Sequence, residues 1–202
     1  MAYLASIFIG YLLGCSNMAL YISRAKGVDL RSGGSRNLGA SNAVAMMGWS
    51  AGIITAIHDI SKAVLAVFLA RLLFPENAYT GVAAGVASVL GHIYPFYLKF
   101  HGGKGFAPYV GLLLALNWKF GLIIMVVVAL ITIVTDFIVA GTTVTVITAP
   151  VFFGVTVGLI PALIVSLASL ALLWKHRENY VRMYKGTELG YRGGRHGFFG
   201  WR

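Results

Sequence analysis

The feature that most constrains this chain is a succession of apolar runs too long, and too poor in charge, to lie under a water-facing surface. Seven can be drawn, over residues 2–22, 50–73, 79–98, 106–116, 119–134, 137–156 and 160–174. A helix that crosses a bilayer needs about 20 predominantly apolar residues, and these runs take up most of the 202 positions. Only 11% of the residues are charged, where a soluble domain carries roughly a quarter. The pattern predicts an all-α integral membrane protein of about seven transmembrane helices. The fourth run is too short to cross unless tilted or set in thinned bilayer, so a half-helix behind a re-entrant loop is expected there. Pro75-Glu76-Asn77 separates the second and third runs, and Gly158 with Pro161 marks a turn before the last. With no internal repeat and no long linker, residues 1–202 read as one domain, with a flexible Gly-rich tail over 190–202. The first run has neither a basic leading segment nor a small-residue cleavage site, and reads as a retained helix rather than a signal peptide. The single cysteine, Cys15, excludes an intrachain disulfide framework or a cysteine zinc site.

A net charge of +10 invites a nucleic-acid reading, but its distribution points elsewhere. If the seven runs alternate across a membrane, one set of connections holds Arg24, Lys26, Arg31 and Arg36, then Lys99 and Lys104, then the segment from Lys175 to Arg202. That set carries thirteen of the sixteen Lys and Arg. Cytoplasmic loops are enriched in just these residues, which meet anionic headgroups or anionic substrates. The N-terminus is therefore expected outside, with these loops and the C-terminus in the cytoplasm. Six spans would break the agreement at the tail.

Three polar stretches share that face. In the first, Arg31-Ser32-Gly33-Gly34-Ser35-Arg36-Asn37-Leu38-Gly39-Ala40-Ser41-Asn42, glycines let backbone N–H groups converge on an anion while Ser and Asn add donors. A short helix expected from Asn42 would turn its positive end to a phosphate. A flexible, turn-rich loop is the competing reading. It is not a P-loop, because no Gly-Lys-Ser/Thr follows at the required spacing.

The second stretch joins Gly91-His92-Ile93-Tyr94-Pro95 to Gly102-Gly103-Lys104-Gly105. Its glycines permit close approach and Lys104 supplies a point charge. Pro95 predicts a helix end near His92, which is either a packing or a catalytic histidine. The third stretch, Lys175 to Glu188, continues the last run. Helical spacing puts Lys175, Glu178 and Arg182 on one face and His176 with Asn179 on another. A basic helix end on anionic lipid would explain its Lys and Arg, but not its His, Glu and Asn. Inside the second run Asp59 and Lys62 lie one turn apart. Charges at such depth cost about 2.5–3.5 kcal/mol each on insertion scales, which predicts an ion pair, either structural or in contact with substrate. Asp136, at a run's end, reads as a boundary residue.

Together these stretches resemble the bacterial acyl-phosphate:glycerol-3-phosphate acyltransferase family, PlsY, nearly end to end and in order. The family's Gly-Ser-Gly-Asn-x-Gly-Ala-Thr-Asn loop is similar to Gly34-Ser35-Arg36-Asn37-Leu38-Gly39-Ala40-Ser41-Asn42. Its Gly-His-x-x-Pro and Gly-Gly-Lys-Gly-Val-Ala-Thr segments resemble Gly91 to Pro95 and Gly102 to Pro108, and its Asp-x-x-Lys resembles Asp59 and Lys62. Its His-Arg-Glu-Asn segment, continuing to Arg and Gly-x-Glu, resembles His176-Arg177-Glu178-Asn179, Arg182, Gly186 and Glu188. Arg36 stands for a family glycine, Ser41 for a threonine, Ala45 for an arginine, His101 for a lysine and Pro108 for a threonine. Thr142 aligns with a serine. Arg36 offers a replacement for the missing arginine, because a guanidinium can hold phosphate bidentately.

The resemblance implies a fatty acyl phosphate donor, glycerol 3-phosphate as acceptor and lysophosphatidic acid as product, in the bacterial inner membrane among membrane lipids, with no metal or other cofactor. It implies a catalytic set of Ser35, His92, Lys104, His176 and Asn179. Substrate binding would fall to Gly34, Arg36, Asn37, Gly39, Ser41, Asn42, Asp59, Lys62, Gly102, Gly103, Gly105, Thr142, Arg177, Glu178, Arg182 and Glu188. An acyl phosphate is already activated, so positioning two phosphates against their repulsion is the main task. Ser35 is expected to donate hydrogen bonds rather than attack. The general base is open among His92, His176 and the acceptor's own phosphate. Three other readings remain open: the same donor with another hydroxyl acceptor, a transporter or channel, and a non-catalytic relative. A transporter would commonly show inverted repeats; none is evident. Nothing in the sequence indicates an oligomeric state.

Overall fold

The structure is a computed structural model, and it describes residues 1–188 and Gly190; the rest of the 190–202 tail lies outside the described residues. They form α1 (Ala2–Cys15), α2 (Met18–Ala25), α3 (Ala40–Met47), α4 (Trp49–Leu73), α5 (Thr80–Ile93), a 3-10 turn at Phe96–Leu98, α6 (Phe106–Leu116), α7 (Trp118–Thr135), α8 (Ile138–Thr156) and α9 (Leu159–Tyr184). With α1 and α2 taken as one span, six helices are long and apolar enough to cross a membrane, and α6 is a shorter apolar helix. No strand occurs among the described residues. At about 1.5 Å per residue, α6 is only about 16 Å long, the half-length element that the sequence predicts.

The first apolar run differs from the expected continuous helix. It breaks at Ser16-Asn17 because Asn17 caps a new helix, its Oδ1 accepting from Leu20 N at 2.8 Å. Its Nδ2 donates to Leu38 O at 3.1 Å, so the break is pinned to the first polar loop. Backbone freed inside a membrane must find a partner, and the Ser16 carbonyl accepts from Lys62 Nζ at 2.7 Å.

Side chains of Leu4, Phe8, Ile57, Phe68, Val126, Leu130, Leu163 and Leu167 stand on the outer surface. Lipid is as apolar as these groups, so close packing rather than water exclusion holds helices together. Accordingly α1 lies on α5 through small residues. A Cβ on Gly10 or Gly14 would overlap the backbone of Ala84 or Ser88, and one on Gly91 would overlap the Tyr11 carbonyl. Likewise a Cβ on Gly111 of α6 would overlap the Ile60 carbonyl of α4. The interior between α4, α5, α6 and α9 is filled by Val67, Val89, Ile93, Leu112, Val165 and Leu172, with Tyr109 Oη 2.6 Å from Ser169 Oγ.

Turns are set locally. Asn117 caps α7 by accepting from Phe120 N at 3.0 Å, Asp136 closes α7 at φ 70°, and Gly158 joins α8 to α9 at φ 130°. Alternation of the six long spans and the shorter α6 brings residues 26–39, 94–105, 136–137 and 185–188 to one end of the bundle.

Candidate active site

The first polar loop is built around Asn42, which is fully buried at the start of α3. Its Oδ1 accepts from Ser35 N and its Nδ2 donates to Leu30 O, each at 2.8 Å. One amide thus ties both limbs of the loop, while Leu30 and Leu38 anchor it on Ala19 and Ala43. Gly34 adopts φ 57°, and a Cβ there would overlap Asn42 Oδ1. Arg36, where the family has glycine, also takes a left-handed φ of 56°. That conformation favours glycine and accounts for the family residue.

The Gly-Gly-Lys-Gly loop folds back onto the end of α5. Gly102 N donates to Ile93 O at 3.0 Å and Gly103 N to His92 O at 3.1 Å. A Cβ on Gly102 would overlap the His92 carbonyl, and one on Gly103 would overlap His92 Nε2; the glycines are demanded by this approach. Arg31 Nη2 donates to His101 O at 2.7 Å, joining the first and second loops. Pro108 lies in the first turn of α6, where its missing N–H would lack an intrahelical partner in any case. Replacing the family threonine therefore costs no helical bond.

Lys104 reaches across to α9, donating to Asn179 Oδ1 at 2.7 Å. Asn179 Nδ2 donates in turn to Glu188 Oε1 at 2.5 Å, and Arg182 Nε donates to Glu188 Oε2 at 2.7 Å. Burial lowers the Lys104 pKa to about 8, with Arg182 adding to the shift and Glu188 and Glu178 opposing it. Buried His176 has its Nδ1 2.8 Å from Leu172 O. A carbonyl only accepts, so Nδ1 carries the proton and Nε2 keeps its lone pair.

Beneath the loops lies a buried ionic cluster. Lys62 Nζ is 2.8 Å from Asp59 Oδ1 and 2.8 Å from His92 Nδ1, in addition to its bond to Ser16 O. The expected ion pair is present, and it includes His92. His58 extends the cluster, its Nε2 3.0 Å from Ser16 Oγ and its Nδ1 3.5 Å from Asp59 Oδ1.

All three stretches open on one cavity of about 450 Å³. Ser35, Asn37, Gly39 and Ser41 line it from the first loop, Lys104 and Gly105 from the second, and His176, Asn179 and Glu188 from α9 and beyond. Asp59 and His92 line it from α4 and α5, and Thr142 from α8. Several expected binding residues stand behind or beside this lining. Gly34, Asn42, Lys62, Gly102 and Gly103 support it, whereas Arg36 is exposed beside Ser35 and Asn37. Arg177 is exposed and stacks on Trp174 at 4.5 Å; exposed Glu178 lies 3.9 Å from Arg182, which Glu188 holds. Ala45 is exposed on α3. Lys104 is the one Lys or Arg lining the cavity among the described residues.

Trp49, Gly52, Ala56, Phe106 and Asp136 also line the cavity and escaped the sequence reading. Asp136 ends α7, as a boundary residue should, yet it also borders the site. An acidic residue set between two apolar runs was the available signal. Ser16 and His58 gave none, because their roles arise from tertiary contacts alone. No group of three or more His, Cys, Asp or Glu suited to a metal ion occurs among the described residues.

A sequence profile for a family described as glycerol-3-phosphate acyltransferase matches residues 4–186. The chain is 36% identical to glycerol-3-phosphate acyltransferase 1 of Oceanobacillus iheyensis, over 91% of this chain and 92% of that one. It is 35% identical to the glycerol-3-phosphate acyltransferase of Coxiella burnetii, over 93% and 97% of the two chains. Among solved structures it is similar to PlsY (YgiH), an integral membrane glycerol 3-phosphate acyltransferase. The glycerol 3-phosphate form matches with a TM-score of 0.87 at 29% identity, covering 94% of this chain and 96% of the other. The lysophosphatidic acid form matches with a TM-score of 0.85 at 28% identity, covering 94% and 95%.

Proposed function

The chain belongs to the glycerol-3-phosphate acyltransferase family, and from that premise we propose that it moves a fatty acyl group from acyl phosphate to the 1-hydroxyl of glycerol 3-phosphate. The products are lysophosphatidic acid and inorganic phosphate. The observation that carries this reading is the junction of Lys104 with Asn179, in a cavity that the Ser35 loop also lines.

The donor is a mixed anhydride, so its acyl carbon needs no further activation. The acceptor's hydroxyl oxygen attacks that carbon, a C–O bond forms, and the bond to the leaving phosphate oxygen breaks. His176 Nε2 takes the hydroxyl proton and returns it to the departing phosphate. Lys104 offsets the charge of the phosphates. Ser35, Asn37 and Ser41 donate to their oxygens from a loop whose shape Asn42 fixes, and Asn179 holds Lys104 in place. Preorganised donors of this kind avoid reorganisation during reaction. The acyl tail lies in an apolar recess of about 290 Å³ that shares Phe106, Ala107 and Ile138 with the cavity and continues past Val128 and Met125.

The whole chain acts as one domain, because α3, α4, α5, α6, α8 and α9 all contribute to the cavity lining. Its place is the bacterial inner membrane, with the N-terminus outside and the motif loops in the cytoplasm. The bias of thirteen of sixteen Lys and Arg toward that face supports the orientation.

The test is an assay of purified protein in lipid nanodiscs with acyl phosphate and glycerol 3-phosphate. Lysophosphatidic acid and phosphate should appear in equal amounts. Acylation of another hydroxyl compound, with none of glycerol 3-phosphate, would reject the acceptor. Flux of phosphate compounds into proteoliposomes without acyl transfer would reject the enzyme.

A further inference from the structure

We propose that Lys62 is a positioning residue that locks His92 in one tautomer, with Nε2–H presented to the cavity, so that His92 donates a hydrogen bond to the substrate and cannot serve as the base. This rests on the acyl-transfer reading and assigns a role within it.

An ammonium has three protons to give and no lone pair to receive with. Lys62 Nζ has three partners at hydrogen-bonding distance: Ser16 O at 2.7 Å, Asp59 Oδ1 at 2.8 Å and His92 Nδ1 at 2.8 Å. Ser16 O is available only because the first span breaks at that residue. With Asp59 balancing its charge in a buried site, Lys62 stays an ammonium, and His92 Nδ1 must accept. Asp59 Oδ1 also lies within reach of His92 Nδ1, at 3.4 Å, but that contact is the longer one, and among the described residues no acceptor stands as close to Nδ1 as the Lys62 ammonium stands as donor. A neutral imidazole that accepts at one nitrogen carries its proton on the other.

That other nitrogen faces the Gly-Gly-Lys-Gly loop, close enough that only a glycine fits at position 103. His92 lines the cavity although it is buried, and among the described residues no protein group bonds Nε2. His176 is held the opposite way, with its proton on Nδ1 and its Nε2 lone pair free. The two histidines therefore divide the work. His176 accepts the hydroxyl proton, and His92 donates to an oxygen that gains negative charge as the acyl carbon is attacked.

The test combines nitrogen NMR with kinetics. In protein carrying 15N-labelled histidine, without substrate, His92 should show protonated Nε2 and unprotonated Nδ1, and His176 the reverse. Signals are assigned by their loss in His92→Gln and His176→Gln. Lys62→Met should shift the His92 signals toward a mixture of tautomers and lower kcat more than it changes KM. A glutamine amide can donate near the Nε2 position but cannot take a proton. His92→Gln should therefore keep activity within about tenfold of the parent, while His92→Ala loses roughly 100-fold or more, the scale for removing one such donor. A proton on His92 Nδ1 in the parent would overturn the proposal, as would a folded His92→Gln protein as inactive as His92→Ala. Because the spectrum needs no substrate, correct tautomers in a protein that forms no lysophosphatidic acid would reject the acyl-transfer reading instead.

Discussion

At the scale of single residues, Lys104 is the charge on which the proposed substrate binding turns. Its replacement by Ala should lower turnover by about 100-fold or more, the scale of a lost electrostatic contact, while the thermal unfolding midpoint in detergent stays near that of the parent. Normal activity in that variant would remove the cavity from the mechanism. The same lysine sets a pH dependence. Burial disfavours its ammonium form and brings the pKa down to about 8. In the proposed mechanism the charged form binds phosphate, so kcat/KM should hold below pH 8 and fall about tenfold per unit well above it. Lys104→Arg should move that alkaline limb out of range in whatever activity it retains. Gly34→Ala forces an L-residue into left-handed backbone at about 1–2 kcal/mol and disturbs the Asn42 bond, worth about 1 kcal/mol. A loss of about 2–3 kcal/mol should appear in thermal unfolding. Motif side chains such as Ser35, Lys104 and His176 were legible because their chemistry does not suit a lipid-embedded chain. Asn17, Ser16 and His58 were not, since a cap, a freed carbonyl and a distant ring acquire meaning only once α1, α2 and α4 have packed.

At the scale of elements, α1 and α5 meet so closely that Gly14 has no room for a side chain. Gly14→Val would push a branched group against the Ser88 backbone, which cannot yield as a flexible side chain can. A loss of about 1–3 kcal/mol is expected for overpacking, seen as a lower unfolding midpoint, and the shift would also draw the Ser16 carbonyl away from Lys62. A neutral result would mean that α1 is not anchored through this contact. Apolar length marked most helices in advance, including the short α6. It missed the break at Ser16-Asn17, because one asparagine in an apolar run changes the hydropathy little while capping decides the backbone. The last apolar run ends at residue 174, but the helical spacing of Lys175, Glu178 and Arg182 carried the helix on, and α9 runs to Tyr184; hydropathy marks where lipid ends, and the hydrogen-bonded helix simply continues into water.

At the scale of the whole molecule, the proposed odd number of crossings puts the N-terminus opposite the motif loops. With Cys15→Ser as background, a single cysteine at Glu76 should react with an impermeant maleimide in intact spheroplasts. One at Lys185 should react only after the membrane is opened; the reverse pattern would invert the orientation. The convergence of loops 26–39 and 94–105 with the end of α9 was foreseeable as a shared face. The depth of their meeting was not, because it depends on how far each loop folds back onto its own helix.

The 11-residue α6 fixes that depth. A helix about half as long as the roughly 30 Å hydrocarbon slab cannot reach from one surface to the other, and in the proposed arrangement the lysine loop at its head is the end that lies at the cytoplasmic edge of the leaflet. The proposed acyl phosphate donor then has no need to climb out of the bilayer to react. On the proposed reading the small hydrophilic acceptor comes to the lipid edge instead, and the finished single-tailed lipid drifts away sideways without ever crossing water.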